Sequence, residues 1–181
     1  MKKYIFIILN SVIIFILASL SHFIYDIFPN DITAIFFPVN ESIWEHMKLL
    51  YTPFLIDALI IYIYFTKKGI IFHNLLFSVV VSSIFAIFLY LIIYLPIYVY
   101  YKTNLIFDII LLFSVIVISQ IINFKIIRKE AKQNINLSFV IIITICISIF
   151  FGYLTYKPVR NFIFYDFKHQ KFGKNIYILG N

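Results

Sequence analysis

The chain has 181 residues, of which 63% are hydrophobic and only 13% charged. A soluble domain of this length has too much surface to hide that much apolar side chain, so lipid is the solvent for most of it and the bilayer its first partner. The net charge of +7 does not point to nucleic acid, because the lysines stand at the ends of apolar runs and not beside an exposed aromatic platform.

Met1-Lys2-Lys3 precedes an apolar run from Tyr4 to Tyr25. The run is long for a signal-peptide core and has no small-x-small cleavage site near Ala18, so it reads as a first transmembrane helix, about residues 4–25. Asp26 to Asn40, broken by Pro29, Asn30, Asp31 and Pro38, is a loop without a basic residue. A second helix has to begin near Met47 to reach Thr66, because 53–66 alone would span only about 21 Å. Pro53 then falls inside the helix over 47–66 and predicts a kink that frees the Leu49 carbonyl.

After Thr66-Lys67-Lys68-Gly69 a third helix is expected over 70–95. Pro96 stops it, within a belt of Tyr94, Tyr98, Tyr100 and Tyr101. Lys102-Thr103-Asn104 turns the chain into a fourth helix over 105–127, and a polar loop from Arg128 to Asn134 leads to a fifth over 137–157. Cys146, the only cysteine, lies in that apolar run. It permits no intramolecular disulfide and no thiolate cage, and reads as a small buried hydrophobe. The fold class is therefore all-α. Residues 1–157 form a polytopic transmembrane bundle of about five helices, and residues 158–181 an interfacial C-terminal cap on the extracytoplasmic face.

With the N-terminus cytoplasmic, Lys2, Lys3, Lys67, Lys68, Lys125, Arg128, Lys129 and Lys132 lie inside and only Lys48 and Lys102 in outer loops. That follows the positive-inside rule, although the lysines of the tail run against it. Relative sidedness depends only on the number of crossings. Asp26, Asp31, Glu41, Glu45, Asp108 and Asp166 fall at one face with His22, His46 and His169. Glu130 and His73 fall at the other, and Asp57 lies within the second span.

His22-x-x-x-Asp26 puts two polar side chains one turn apart at the end of the first helix. Glu41 and Glu45, and Ser42 and His46, repeat that spacing. Asp57 lies three turns beneath His46. Ionisable groups in a membrane face the bundle interior, so a polar cluster of His22, Asp26, Asn40, Glu41, Ser42, Glu45, His46 and Asp57 is expected, with Asp166 of the tail above it.

The plainest account of this stretch is structural, or the docking of a protein partner. Ser42-x-x-Glu45 is a capping box, Asn40 an alternative cap, Trp44 an interface anchor, and Lys48 pairs with Glu41 or Glu45. It explains His22, His46 and Asp57 less well. A second account is a divalent metal held by His22, Asp26, Glu45 and His46, serving a membrane-embedded hydrolase or lipid-modifying enzyme. Glu41, Glu45, His46 and Ser42 are its catalytic candidates. No H-E-x-x-H is present. A third is a small transporter or permeation subunit that uses the Asp57 column.

Pro38-Val39-Asn40-Glu41-Ser42-Ile43-Trp44-Glu45-His46-Met47-Lys48-Leu49 resembles the hallmark of an uncharacterised family of small bacterial integral membrane proteins, a domain of unknown function. Its pattern is Pro-Val-Asn-Glu-Ser-x-x-Glu-His-x-Lys-Leu. His22 with Asp26 is similar too, as are Thr155-Tyr156-Lys157-Pro158, Asp166 and Phe172-Gly173 in the tail. Val159 departs from the pattern, where a second proline is expected. The resemblance spans the chain and implies a multi-pass protein of the bacterial cell membrane, with no activity attached. A more distant similarity is to the seven-helix metal-dependent membrane hydrolases that include alkaline ceramidases. Ser42, His46, Asp57 and His22 are similar in kind to their Ser, Asp and His residues, but this chain has too few helices and no His-x-x-x-His.

Overall fold

In lipid the backbone has no water to bond, so an apolar run has to satisfy its own amides by coiling into a helix. Five of the described helical stretches are long and apolar enough to cross a membrane. The computed structural model describes residues 3–70, 72, 74–101, 104–128, 135–174 and 176–177. His73, the turn at Lys102 and Thr103, the loop 129–134 with Glu130, and the end of the tail fall outside them.

Helix α1 is Lys3–Ile27, and the first loop contains a short helix α2, Asp31–Phe36. Asn30 and Thr33 cap α2 reciprocally, side chain to backbone in both directions. The second crossing is composite. Helix α3 (Ile43–His46) runs through a 3₁₀ turn, Met47–Leu50, into α4, Thr52–Thr66. Pro53 therefore sits in the first turn of α4, and the expected kink is a change of helix type. Pro53 has no amide to donate and disfavours α geometry just before it, so the chain tightens ahead of it and restarts.

Helix α5 is Leu75–Tyr101, α6 is Leu105–Ile127 and α7 is Leu137–Tyr156. Pro96 does not stop α5, which continues to Tyr101. One proline removes one helical hydrogen bond, whereas leaving the helix within lipid would orphan many backbone groups. Helices α1, α4, α5 and α6 pack into a core, and α7 lies against α2 and α5. Gly152 on α7 lets α2 come close, since a Cβ there would stand 3.0 Å from Ile35 Cγ1.

The tail is a cap with a small sheet. Strands β1 (Tyr165–Asp166), β2 (Lys171–Phe172) and β3 (Ile176–Tyr177) pair antiparallel in that order. Gly173 is held at φ 52°, where a Cβ would be 2.2 Å from the Thr155 carbonyl oxygen; no other residue fits. Trp44 stacks on Phe164 at 4.8 Å, packs on Phe151 at 5.2 Å, and donates its amide to the Ile163 carbonyl at 3.0 Å. The expected interface anchor is thus the post to which the tail is fixed.

Candidate metal centre

Ser42 is the N-cap of α3, and its hydroxyl accepts the Glu45 amide at 3.3 Å. Its own amide is taken by Asn40 Oδ1 at 2.8 Å, while Asn40 Nδ2 donates to the Gly173 carbonyl at 2.9 Å. Asn40 thus ties the loop to the tail. Glu41 lies before the cap, outside the helix, so its spacing of four from Glu45 does not put the two on one face. The Glu41 amide donates to Asp166 Oδ2 at 3.0 Å, and the tail thereby fixes where the Glu41 side chain starts.

From that start the Glu41 carboxylate reaches the end of α1. Glu41 Oε2 is 3.5 Å from His22 Nε2 and 3.4 Å from His46 Nε2, and the two Nε2 atoms are 3.2 Å apart. Three donor atoms from α1, the loop and α3 therefore form a nearly equilateral triangle. His46 Nδ1 lies 2.8 Å from the Ser42 carbonyl, a contact that fixes the ring's orientation and turns Nε2 into the triangle. His22 Nδ1 is buried and meets no hydrogen-bond partner among the described residues. The His22 ring rests instead on Phe23 and His46, at 5.1 and 5.2 Å.

The His22 and His46 imidazoles hold the Glu41 carboxyl far below its usual range, against the opposing effect of burial. Lys168 of the tail pairs with the other carboxylate oxygen, Oε1, at 3.2 Å. Asp166 is fully buried. Burial pushes its carboxyl up, but hydrogen bonds from the Glu41 amide and from the ring and amide of His169 bring it below the usual range.

The triangle forms part of the wall of a cavity of about 540 Å³ between α1, α3, α5 and α6. Its floor and sides are largely apolar, with Ser19, Tyr90, Tyr94 and Asp108 as polar exceptions. A smaller, polar vestibule of about 210 Å³ lies on the other side, lined by Asp26, Asn40, His169 and Lys171. His22, Glu41 and Lys168 line both.

The remaining expected site residues have other places. Glu45 and Lys48 form a fully buried ion pair at 2.8 Å, their side chains 2% and 1% exposed. Lys48 Nζ also donates to the Ala34 carbonyl at 2.6 Å and to Thr155 Oγ1 at 2.7 Å. Thr155 donates to Glu45 Oε1 at 2.8 Å, and the Val39 amide donates to Glu45 Oε2 at 3.1 Å. Glu45 therefore does not reach back to the Ser42 amide as a capping box requires, and it is not among the clustered donors. It locks the first loop, α3 and α7 together. Asp26 is exposed in the vestibule and is not one of the three clustered donors. Asp57 is 1% exposed, does not line the large cavity, and neither carboxyl oxygen has a hydrogen-bond partner among the described residues.

Thr155 and Lys168 were not singled out by sequence reading. Thr155 stood within the tail pattern, but only the fold brings it, 110 positions on, to Glu45. The family described as "Family of unknown function (DUF6512)" matches residues 1–174. No curated protein and no solved structure matches the chain.

Proposed function

The chain belongs to DUF6512, a family of unknown function, and we propose that it is a membrane metalloprotein whose His22, Glu41 and His46 hold one divalent cation, zinc first of all, for hydrolytic chemistry. The observation that carries this reading is the triangle of donor atoms. A tetrahedral zinc with bonds of about 2.0–2.2 Å needs its ligand atoms roughly 3.3–3.5 Å apart, and the three edges are 3.2, 3.4 and 3.5 Å. Two histidines and one glutamate form a donor set suited to catalytic zinc, which keeps its fourth position for water. Neither Lys48 nor Arg160 seals the triangle: Lys48 is committed to Glu45, and Arg160 does not line the cavity.

A divalent cation held by His22, Glu41 and His46 would supply a water of lowered pKa and polarise a carbonyl beside it. In the hydrolysis the water oxygen bonds to an acyl carbon, and the bond from that carbon to its oxygen or nitrogen leaving group breaks. We assign the transfer of the water's proton to the leaving group to Asp108, the carboxylate besides Glu41 on the wall of that cavity. The buried Glu45–Lys48–Thr155 network supports a structural role for that half of the Pro38–Leu49 stretch and leaves Glu41 and His46 for the cation.

Elemental analysis of the purified full-length protein after equilibration with zinc tests this reading. The expected result is close to one zinc per chain, lost in His46→Ala. A folded protein that retains no zinc, nickel, cobalt or manganese overturns it.

A further inference from the structure

Resting on that reading, we infer that the substrate is a membrane amphiphile: its chain enters from the lipid between α1 and α6, and its hydrolysable headgroup linkage comes to rest against His22, Glu41 and His46.

The walls of the large cavity lead to this. Below it, α1 and α6 are closed by ring contacts, Phe15 on Phe113 at 5.3 Å and Phe6 on Phe124 at 5.4 Å. Above Phe15 four of the cavity-lining residues of the same two helices are exposed, Ser19 and Phe23 on α1 and Leu105 and Ile109 on α6, whereas Ala18 is buried and His22, Asp108 and Leu112 are half-buried. Both segments belong to helices apolar and long enough to span a membrane, so their exposed apolar side chains suit lipid. A side opening is thus framed by Ser19 and the apolar Phe23, Leu105 and Ile109, on the lipid-facing ends of α1 and α6, where a hydrocarbon chain can enter. The volume of about 540 Å³ lies within the ordinary range for a bound organic ligand, and its apolar lining suits a hydrocarbon chain.

The polar end is built on the opposite side. The vestibule of Asp26, Asn40, His169 and Lys171 reaches His22 and Glu41 from the end of the bundle, and Lys168 stands at the junction of the two chambers. His22 and Glu41, two of the three donors, stand between a polar and an apolar chamber. A hydrolase for an amphiphile needs that layout, because water and chain must reach the same bond from different solvents. A hydrolase for a soluble substrate has no use for the opening between α1 and α6.

The test uses the full-length protein in lipid nanodiscs, loaded with cobalt(II), whose visible spectrum reports a change of ligand. Two hydroxamates serve as chelating probes. Dodecanohydroxamate is titrated as a mole fraction of the lipid, so that partitioning is the same for every variant, and acetohydroxamate is titrated in the water phase. In Ser19→Trp and Ile109→Trp, which fill the side opening from its exposed rim, the dodecyl probe should bind tenfold or more weakly. Acetohydroxamate, which arrives through the vestibule, should bind as in the wild type. Ile145→Trp, on the outward face of α7, should change neither. If the protein takes up cobalt and both probes respond alike to the tryptophans, or neither responds, the amphiphile inference is overturned while the metal centre stands. If no cobalt is taken up at all, both fall.

Discussion

His22 Nε2 on α1 stands 3.2 Å from His46 Nε2 on α3, but only His46 is held from behind, by the Ser42 carbonyl at 2.8 Å. Two ring nitrogens at that distance repel through their lone pairs unless a proton or a cation lies between them. The His46 ring is already set for a cation, whereas the His22 ring, with Nδ1 unpartnered among the described residues, loses rotational freedom when it binds one. His46→Ala is therefore expected to lose more zinc affinity than His22→Ala, by about tenfold or more, in competition titrations against a chelator of known affinity. Equal losses would mean that the Ser42 hydrogen bond does not organise the site.

Glu41 and Glu45 are expected to separate cleanly by what they affect. Glu41→Gln removes a donor from the triangle and should abolish zinc uptake. It also loses the contacts of Glu41 with His22, His46 and Lys168, but its side chain is 29% exposed, so the melting temperature of the zinc-free protein should fall less than in Glu45→Gln. Glu45→Gln strands Lys48 in a site that is 1% exposed. Loss of one partner from such a buried pair destabilises by about 3–5 kcal/mol. The melting temperature should fall markedly, and the fraction that remains folded should still bind zinc. Loss of zinc from folded Glu45→Gln would place Glu45 in the centre after all.

These two carboxylates also mark how far the sequence could be read. The long apolar runs are legible because lipid leaves a backbone no alternative, and the polar stretch stands out against them. His22 was picked out by its one-turn relation to Asp26, which holds only because α1 is helical throughout. The same rule applied to Glu41 and Glu45 misleads, since it assumes that the helix already runs at Glu41. The helix begins at Ser42, and one residue of difference sends Glu41 to the histidines and Glu45 to Lys48. The partner that settles Glu45, Thr155, lies 110 positions away and no local pattern reveals it. Pro96 was read as a stop because soluble helices end at proline; within lipid the helix goes on.

The clamp between tail and loop should open in acid. Asp166 accepts the amides of Glu41, Lys168 and His169, and its carboxyl is brought below its ordinary range in the folded protein. A group depressed on folding stabilises the folded state above its unfolded pKa. That contribution fades as pH falls through the folded value. Amide exchange at Glu41, Lys168 and His169, corrected for intrinsic rates, should therefore be slow at pH 6 and at least tenfold faster near pH 3. Asp166→Asn should show the fast exchange already at pH 6. Exchange unchanged in that variant would mean that Trp44, Asn40 and Lys168 hold the tail without help from Asp166.

Sidedness gives a further expectation. Asn30 and Lys171 lie at the end of the bundle that carries the donor triangle, and Lys67 caps the far end of α4. In a background with Cys146, exposed on α7, replaced by serine, single cysteines at Asn30 and Lys171 should react with an impermeant maleimide from the same side of the membrane. One at Lys67 should react only from the other. With the N-terminus cytoplasmic, the Asn30 and Lys171 cysteines react on intact cells. Labelling of Asn30 and Lys171 from opposite sides would contradict five crossings.

Asp57 separates a hydrolytic centre from a permeation path. It lies eleven residues below His46, about 18 Å along the chain once the 3₁₀ turn is counted, and Asn10 and Gln120 lie twelve residues, about 18 Å, from His22 and Asp108 on their own helices. All three are buried at a similar depth, and Asp57 Oδ1 and Oδ2, Asn10 Nδ2 and Gln120 Nε2 each lack a hydrogen-bond partner among the described residues. Asp57 does not line the cavity that meets the donor triangle, so nothing in the proposed chemistry uses it. A buried carboxyl without partners opposes folding, and an amide of the same shape opposes it less. Asp57→Asn should then melt at or above the wild-type temperature and bind zinc with unchanged affinity. In a permeation path the carboxyl would be the one group that an amide cannot replace, because it carries the charge or the proton. Zinc accumulation by vesicles containing wild-type protein but not Asp57→Asn would therefore favour a transporter. Equal zinc binding by both, with no accumulation by either, keeps the centre at His22, Glu41 and His46 and leaves Asp57 outside its chemistry.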